Sequence, residues 1–148
     1  MSGLDDSTRV IIEHDIAKLI IRYAALNDAG LWDDVAALYV DHGRMSRPTA
    51  PDDFIEGRDA ILASFKARPP RASRHICCNI VVTPESHAHA TAVSQILLFT
   101  GEPGADGGLP VQSAKPPMVG TYQDRLVRTQ HGWLFEERRG SLDFNPPS

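Results

Sequence analysis

Asp28 stands just after a helical stretch and His75 lies in an apolar, β-rich run, so a carboxylate and an imidazole lead the candidates for acid–base chemistry. Each also has an ordinary structural use. Asp28 can cap a helix that begins near Gly30, and His75 can be a core histidine bonded to backbone. Tyr23 sits on an apolar helical stripe, where its phenol can donate a proton or its ring can simply fill space. Asn79 shares the His75 face of its strand and can bond a substrate or satisfy a backbone group. Tyr122, Asp124, Leu126 and Arg128 alternate onto one strand face, which makes Tyr122 and Arg128 candidate substrate contacts. Arg128 or Arg138 can hold an anionic or leaving group, although Arg138 is expected to be an exposed strand arginine.

Other constellations lead away from metals and nucleotides. His87 and His89 have metal-like spacing, but no third ligand is near in sequence, and they are expected in solvent with no metal. No phosphate-cradling glycine loop, serine elbow or dinucleotide fingerprint is present, so no cofactor is expected. The adjacent Cys77 and Cys78 point to opposite faces of a strand and cannot easily bridge, which suits a reducing cytoplasm.

The elements that must position these groups follow from periodicity. Ile12, Ile16, Leu19, Ile20 and Tyr23 recur at helical steps over 8–27, after an acidic, cap-capable start at Asp5, Asp6 and Ser7. A shorter helix is expected with Leu31, Trp32, Val35, Leu38 and Tyr39 on one side. Residues 41–56 carry Gly43, Pro48 and Pro51 and read as a loop with at most a short strand. A third helix opens at Gly57, buries Ile61, Leu62 and Phe65, and stops at Pro69-Pro70. Strands follow at 74–83, 88–100, 118–129 and 132–144, with a long Gly/Pro loop over 101–117 and a turn near Gln130-His131-Gly132. Helices first and antiparallel strands after them predict a single α+β domain over 1–148, its core about 8–144.

Both strand faces carry apolar residues: Ile76, Cys78, Ile80 and Val82 on one side of 74–83, His75, Cys77, Asn79 and Val81 on the other. Helices can cover only one face of the sheet. The outer face is therefore expected to pack on a second copy of the chain, as a homodimer.

Composition narrows the partners. The 148 residues carry a formal charge of −4 with arginines scattered along the chain, so no nucleic-acid partner is expected. The acidic start MSGLDDSTR has no apolar signal core, and no run reaches the length of a membrane helix, so a cytoplasmic protein with no membrane contact is expected.

Five pieces in order resemble a known family. They are Tyr23 five residues before Asp28, G-L-W-D-D-V-A-A-L-Y from Gly30, E-G-R-D-A-I from Glu56, S-R-H-I-C-C-N from Ser73, and G-T-Y-Q-D-R-L-V-R with H-G-W-L-F-E-E-R at the end. Over about 8–140 the chain resembles the SnoaL-like group of the nuclear transport factor 2-like superfamily, which includes scytalone dehydratase, bile-acid dehydratases and a lindane dehydrochlorinase. The resemblance implies a cone-shaped, curved antiparallel sheet covered by three N-terminal helices and enclosing a cavity. It also implies that Asp28 and His75 form a dyad facing that cavity. The carboxylate would fix the imidazole tautomer and stabilise the imidazolium, so that the neutral ring removes a proton. Tyr23 matches a pocket tyrosine of the family's dehydratases, as an acid or a substrate anchor. Two departures stand out. The strand Val93-Ser94-Gln95-Ile96 lacks the second histidine of scytalone dehydratase, and Asn27 replaces a second tyrosine.

The expected function is a cofactor-independent dehydratase, isomerase or cyclase acting on a small, largely apolar ring or polyketide-like substrate. The alternative is a non-catalytic small-molecule binder or assembly subunit, like the small subunits of ring-hydroxylating dioxygenases, because fold alone does not fix activity.

Overall fold

The computed structural model describes residues 3–145, so positions 1, 2 and 146–148 of the expected domain lie outside the described residues. Helix α1 (Asp6–Asp28) starts where the Asp5 carboxylate accepts the Thr8 backbone N–H at 2.7 Å, a cap that contributes about 1 kcal/mol. Its buried stripe, Ile12, Ile16 and Ile20 with Tyr23, faces the sheet, and each fully buried isoleucine contributes about 1.5–3 kcal/mol. The helix stops in a Schellman arrangement. Leu31 N–H reaches Leu26 C=O and Gly30 N–H reaches Asn27 C=O, both at 3.1 Å, with Gly30 at φ +70° where a side chain would be strained. Asp28 is therefore held in the last turn of α1. It does not cap the next helix, whose N-cap Leu31 makes no side-chain cap bond.

Helix α2 (Trp32–Ala36) is only a short turn of helix. The expected extension to Tyr39 fails, because Tyr39 opens strand β1 (Tyr39–Arg47), which turns into β2 (Ala50–Glu56). Residues 41–56 are thus a hairpin and not a loop. Their charges pair across strands: Arg44 bonds Glu137 on one side and approaches Glu56 on the other. Helix α3 (Arg58–Lys66) follows, with Ile61 and Phe65 buried and Leu62 half-buried.

Strands β3 (Ala72–Pro84), β4 (His89–Gly101), β5 (Met118–Thr129) and β6 (Gly132–Leu142) complete one six-stranded sheet in the order β2-β1-β6-β5-β4-β3. The sheet is open, α+β, with the helices on its inner face. Its antiparallel pattern has one exception, the parallel pairing of β1 with β6. Gly140 lets the turn after β1 lie close on β6, since a Cβ there would meet Pro48 N at 2.7 Å.

Strand β3 does not alternate as the sequence suggests. Cys78 pairs with Gln95 but Val81 pairs with Val93, so Asn79 and Ile80 together oppose one residue, a bulge with Asn79 at φ 50°. The extra residue reverses the faces beyond it. His75 and Cys77 point inward before the bulge, and Ile80 and Val82 pack on the core after it. Ile76 and Val81 stay outside, 47% and 60% exposed.

Candidate functional site

The sheet and helices enclose a cavity of about 290 Å³ whose wall includes Tyr23, Tyr39, His75, Tyr122 and Arg138. His75 is brought to it by β3, the edge strand, and Asp28 by the end of α1. One Asp28 oxygen accepts the His75 ring Nδ1–H at 2.5 Å and the Ser73 hydroxyl at 3.0 Å. The other accepts the His75 backbone N–H at 2.8 Å, a donor that an edge strand leaves free of the ladder. The ring is nearly enclosed, its side chain 7% exposed against 13% for Asp28. With Nδ1 as donor to a carboxylate, the neutral ring carries its lone pair on Nε2, and the ring lies on the cavity wall.

The Asp28 carboxyl lies below its ordinary pKa. Burial pushes it up, but the hydrogen bonds from the His75 ring and backbone, with that of Ser73, outweigh the burial.

Tyr23 also reaches the cavity. Its hydroxyl shares a hydrogen bond of 2.9 Å with Tyr39, and burial raises the pKa of both phenols. Tyr122 lines the wall as well, its phenol pushed up to about 12 chiefly by burial. These groups remain protonated donors at neutral pH.

Two candidates lie elsewhere. Asn79 is exposed at the bulge and is not among the residues that line the cavity. Arg128 is on the inner face but at the hairpin end, exposed beside a surface recess shared with Lys18 and Arg22. The alternation that placed Arg128 with Tyr122 holds, but the core ends before it. His87 and His89 are both exposed at the β3–β4 turn.

Arg138 is the main residue that sequence reasoning misplaced. It is 2% exposed and pairs with Asp124, Nε to Oδ1 at 3.0 Å, directly across the β5–β6 ladder. Its guanidinium lies 4.0 Å from the Tyr122 ring centroid, 4.4 Å from Tyr23 and 4.8 Å from Phe135. Burial acts against its charge, but Asp124 and the surrounding rings hold it firmly protonated. Burial pushes the Asp124 carboxyl up to about 6 against the pull of Arg138. Arg138 Nη2 is buried with no hydrogen-bond partner among the described residues, and the residue lines the cavity.

Sequence reasoning also missed a basic group. Arg47, Arg68, Arg71 and Lys115 line the same cavity. The available signal was local: Lys66, Arg68, Arg71 and Arg74 fall within nine residues of an otherwise acidic chain.

The family described as SnoaL-like domain matches residues 8–139. No curated protein matches the chain. Among solved structures, a scytalone dehydratase-like protein from Novosphingobium aromaticivorans is similar at 20% identity over 97% of this chain and 93% of that one, TM-score 0.79. An NTF2-like protein with a cystatin-like fold from the same species shares 25% identity over 95% and 92%, TM-score 0.70. A type 2 hexachlorocyclohexane dehydrochlorinase shares 16% identity over 97% and 94%, TM-score 0.77. At such identities the likeness establishes the fold, and chemistry has to be argued from the site.

Proposed function

The chain belongs to the SnoaL-like domain family, and from that premise we propose a cofactor-independent acid–base enzyme of the dehydratase, isomerase or cyclase type. Its substrate is a small, largely apolar ring or polyketide-like molecule with a carbon acidified by a neighbouring carbonyl. One observation carries this reading: the His75 ring on the cavity wall is bonded through Nδ1 to Asp28. A binding or assembly subunit has no need of a carboxylate-oriented imidazole at its cavity.

In this account His75 Nε2 removes the proton from carbon. Asp28 keeps Nδ1 protonated, fixes the ring plane through its second bond to the backbone, and stabilises the imidazolium. The electron pair left on carbon moves toward the carbonyl oxygen, for which Arg138 and the Tyr23 hydroxyl are donors that the cavity offers. For elimination, the leaving hydroxyl takes a proton from the Tyr23 phenol and departs as water, and the proton held on the His75 imidazolium restores the phenol, so the net change is loss of water. For isomerisation, the imidazolium returns its proton to a different carbon.

The experiment is a turnover screen of β-hydroxycarbonyl compounds with the wild type, His75→Ala and Asp28→Asn. The account expects loss of water from a member of the panel, with both variants folded and slowed by about 10²–10⁴-fold. Equal turnover in the folded variants contradicts it.

We also propose that the working unit is a homodimer formed through the outer sheet face. Ile76, Val81, Val93 and Phe99 are exposed on the paired strands β3 and β4, apolar side chains that a second copy would cover. The free thiols Cys77 and Cys78 are in keeping with a cytoplasmic setting. Among the described residues, no helix is long and apolar enough to cross a membrane.

A further inference from the structure

Four of the twelve arginines have acidic partners among the described residues. Arg44 pairs with Glu137, Arg58 with Asp41, Arg138 with Asp124 and Arg139 with Asp52. Arg47, Arg68 and Arg71 pair with no carboxylate among the described residues, although the chain carries a net charge of −4. These three line one cavity, the same one that His75 lines, and Lys115 from the 102–117 loop joins them. Among the described residues, no Asp or Glu side chain lines that cavity.

Like charges held together without a counter-charge raise the energy of the empty site. Their effect is visible on Arg68, whose guanidinium is pushed down to about 10 by burial first and then by Arg47 and Arg71. The acid that pulls on Arg71 is Asp28, already engaged with His75. Arg47 donates from Nη2 to Ser64 C=O at 3.0 Å, which fixes the side chain, yet its Nε is buried without a hydrogen-bond partner among the described residues. Arg68 is held flat on Phe65, 4.6 Å from the ring centroid, and Phe65 stacks on Trp32 at 5.3 Å. Two of the three guanidinium groups are thus positioned by contacts of their own. Planar forks in fixed positions suit a carboxylate better than a diffuse counter-ion.

We propose that the substrate is a carboxylate-bearing molecule whose anionic end is held by Arg47, Arg68 and Arg71 in the cavity while its apolar body reaches His75. The inference rests on the proposed function for the reacting end, but the binding end is tested without any turnover. The carboxylate supplies the missing counter-charge and removes the mutual repulsion of the three cations. Binding therefore also orients the reacting carbon, because the anion fixes which end of the molecule enters.

The test uses two probes that differ only in charge, 1-naphthoate and its methyl ester, titrated calorimetrically into the full chain. The account expects the wild type to bind the carboxylate at least about tenfold more tightly than the ester, with the preference shrinking as salt rises. Arg68→Gln and the double variant Arg47→Gln/Arg71→Gln are expected to lose the preference while their thermal midpoints stay level or rise, since each relieves repulsion. His75→Ala is expected to keep the preference, which separates this claim from the catalytic one. Equal affinity for the two probes, no binding of either, or a preference that survives in the folded double variant overturns the proposal. Displacement of 1-naphthoate by inorganic phosphate but not by equal acetate overturns the carboxylate assignment in favour of a phosphoryl group.

Discussion

Asp28 grips His75 twice, taking the ring Nδ1–H on one oxygen at 2.5 Å and the backbone N–H on the other at 2.8 Å. The first bond sets the tautomer and the second sets the position of the whole residue. A Schellman turn at the end of α1 aims the carboxylate, and the free edge of β3 supplies the backbone donor. Asp28→Asn keeps the size of the group but can donate toward Nδ1 and so favour the wrong tautomer.

Stability should report this contact through pH. Because folding holds the Asp28 carboxyl below its unfolded value of 3.8, the contribution is present above that pH and is lost as pH falls through the lower folded value. The wild type should therefore melt above Asp28→Asn at pH 6, and the difference should shrink below about pH 4. Thermal melts of the two proteins between pH 6 and pH 2 check it, and a constant difference contradicts it.

The buried Arg138–Asp124 pair makes a second prediction. Removing either partner leaves a lone charge inside the sheet, so Asp124→Leu or Arg138→Met should each cost about 3–5 kcal/mol. The double variant should recover most of that loss yet remain inactive, because the cavity has lost its charged donor. Denaturant melts of the three variants measure the coupling.

Tyr23 and Tyr39 can be told apart by paired substitutions. Either Tyr→Phe change breaks the shared hydrogen bond and leaves one buried hydroxyl unpaired, at about 1–3 kcal/mol. Tyr23→Phe should also lower kcat by about 10²-fold with little change in KM, whereas Tyr39→Phe should leave most of kcat. Similar losses of stability and of kcat in both would make the pair a purely structural contact.

The outer sheet face predicts its own outcome. The wild type should sediment as a species of twice the 16.2 kDa chain mass, and Ile76→Lys with Val81→Lys should sediment as single chains. A monomeric wild type at micromolar concentration removes the dimer.

What the sequence discloses here depends on how far a local pattern survives assembly. The stripe Ile12, Ile16, Ile20 reads as the buried face of α1 because helical spacing alone dictates it. Strand β1 escapes notice because the close partner of its Arg44 is Glu137, far away in sequence. Two bulges hide the rest. One at Asn79 sends Ile80 and Val82 inward and leaves Asn79 outside. The other adds Glu136 to β6, so that counting back from the Thr129–Gly132 pair sets Glu137 opposite Asp124, where the ladder has Arg138. A bulge shifts one position without changing composition, and a buried arginine then reads as an exposed one.

Proton abstraction itself is the most direct test of the account. Exchange of the α-hydrogens of enolisable carbonyl compounds, including aryl ketones that bear a carboxylate, can be followed in D2O by NMR with the full-length protein. The account predicts exchange accelerated by the wild type and slowed by about 10²–10⁴-fold in folded His75→Ala, with Asp28→Asn also slowed. Exchange at the wild-type rate in folded His75→Ala would contradict it.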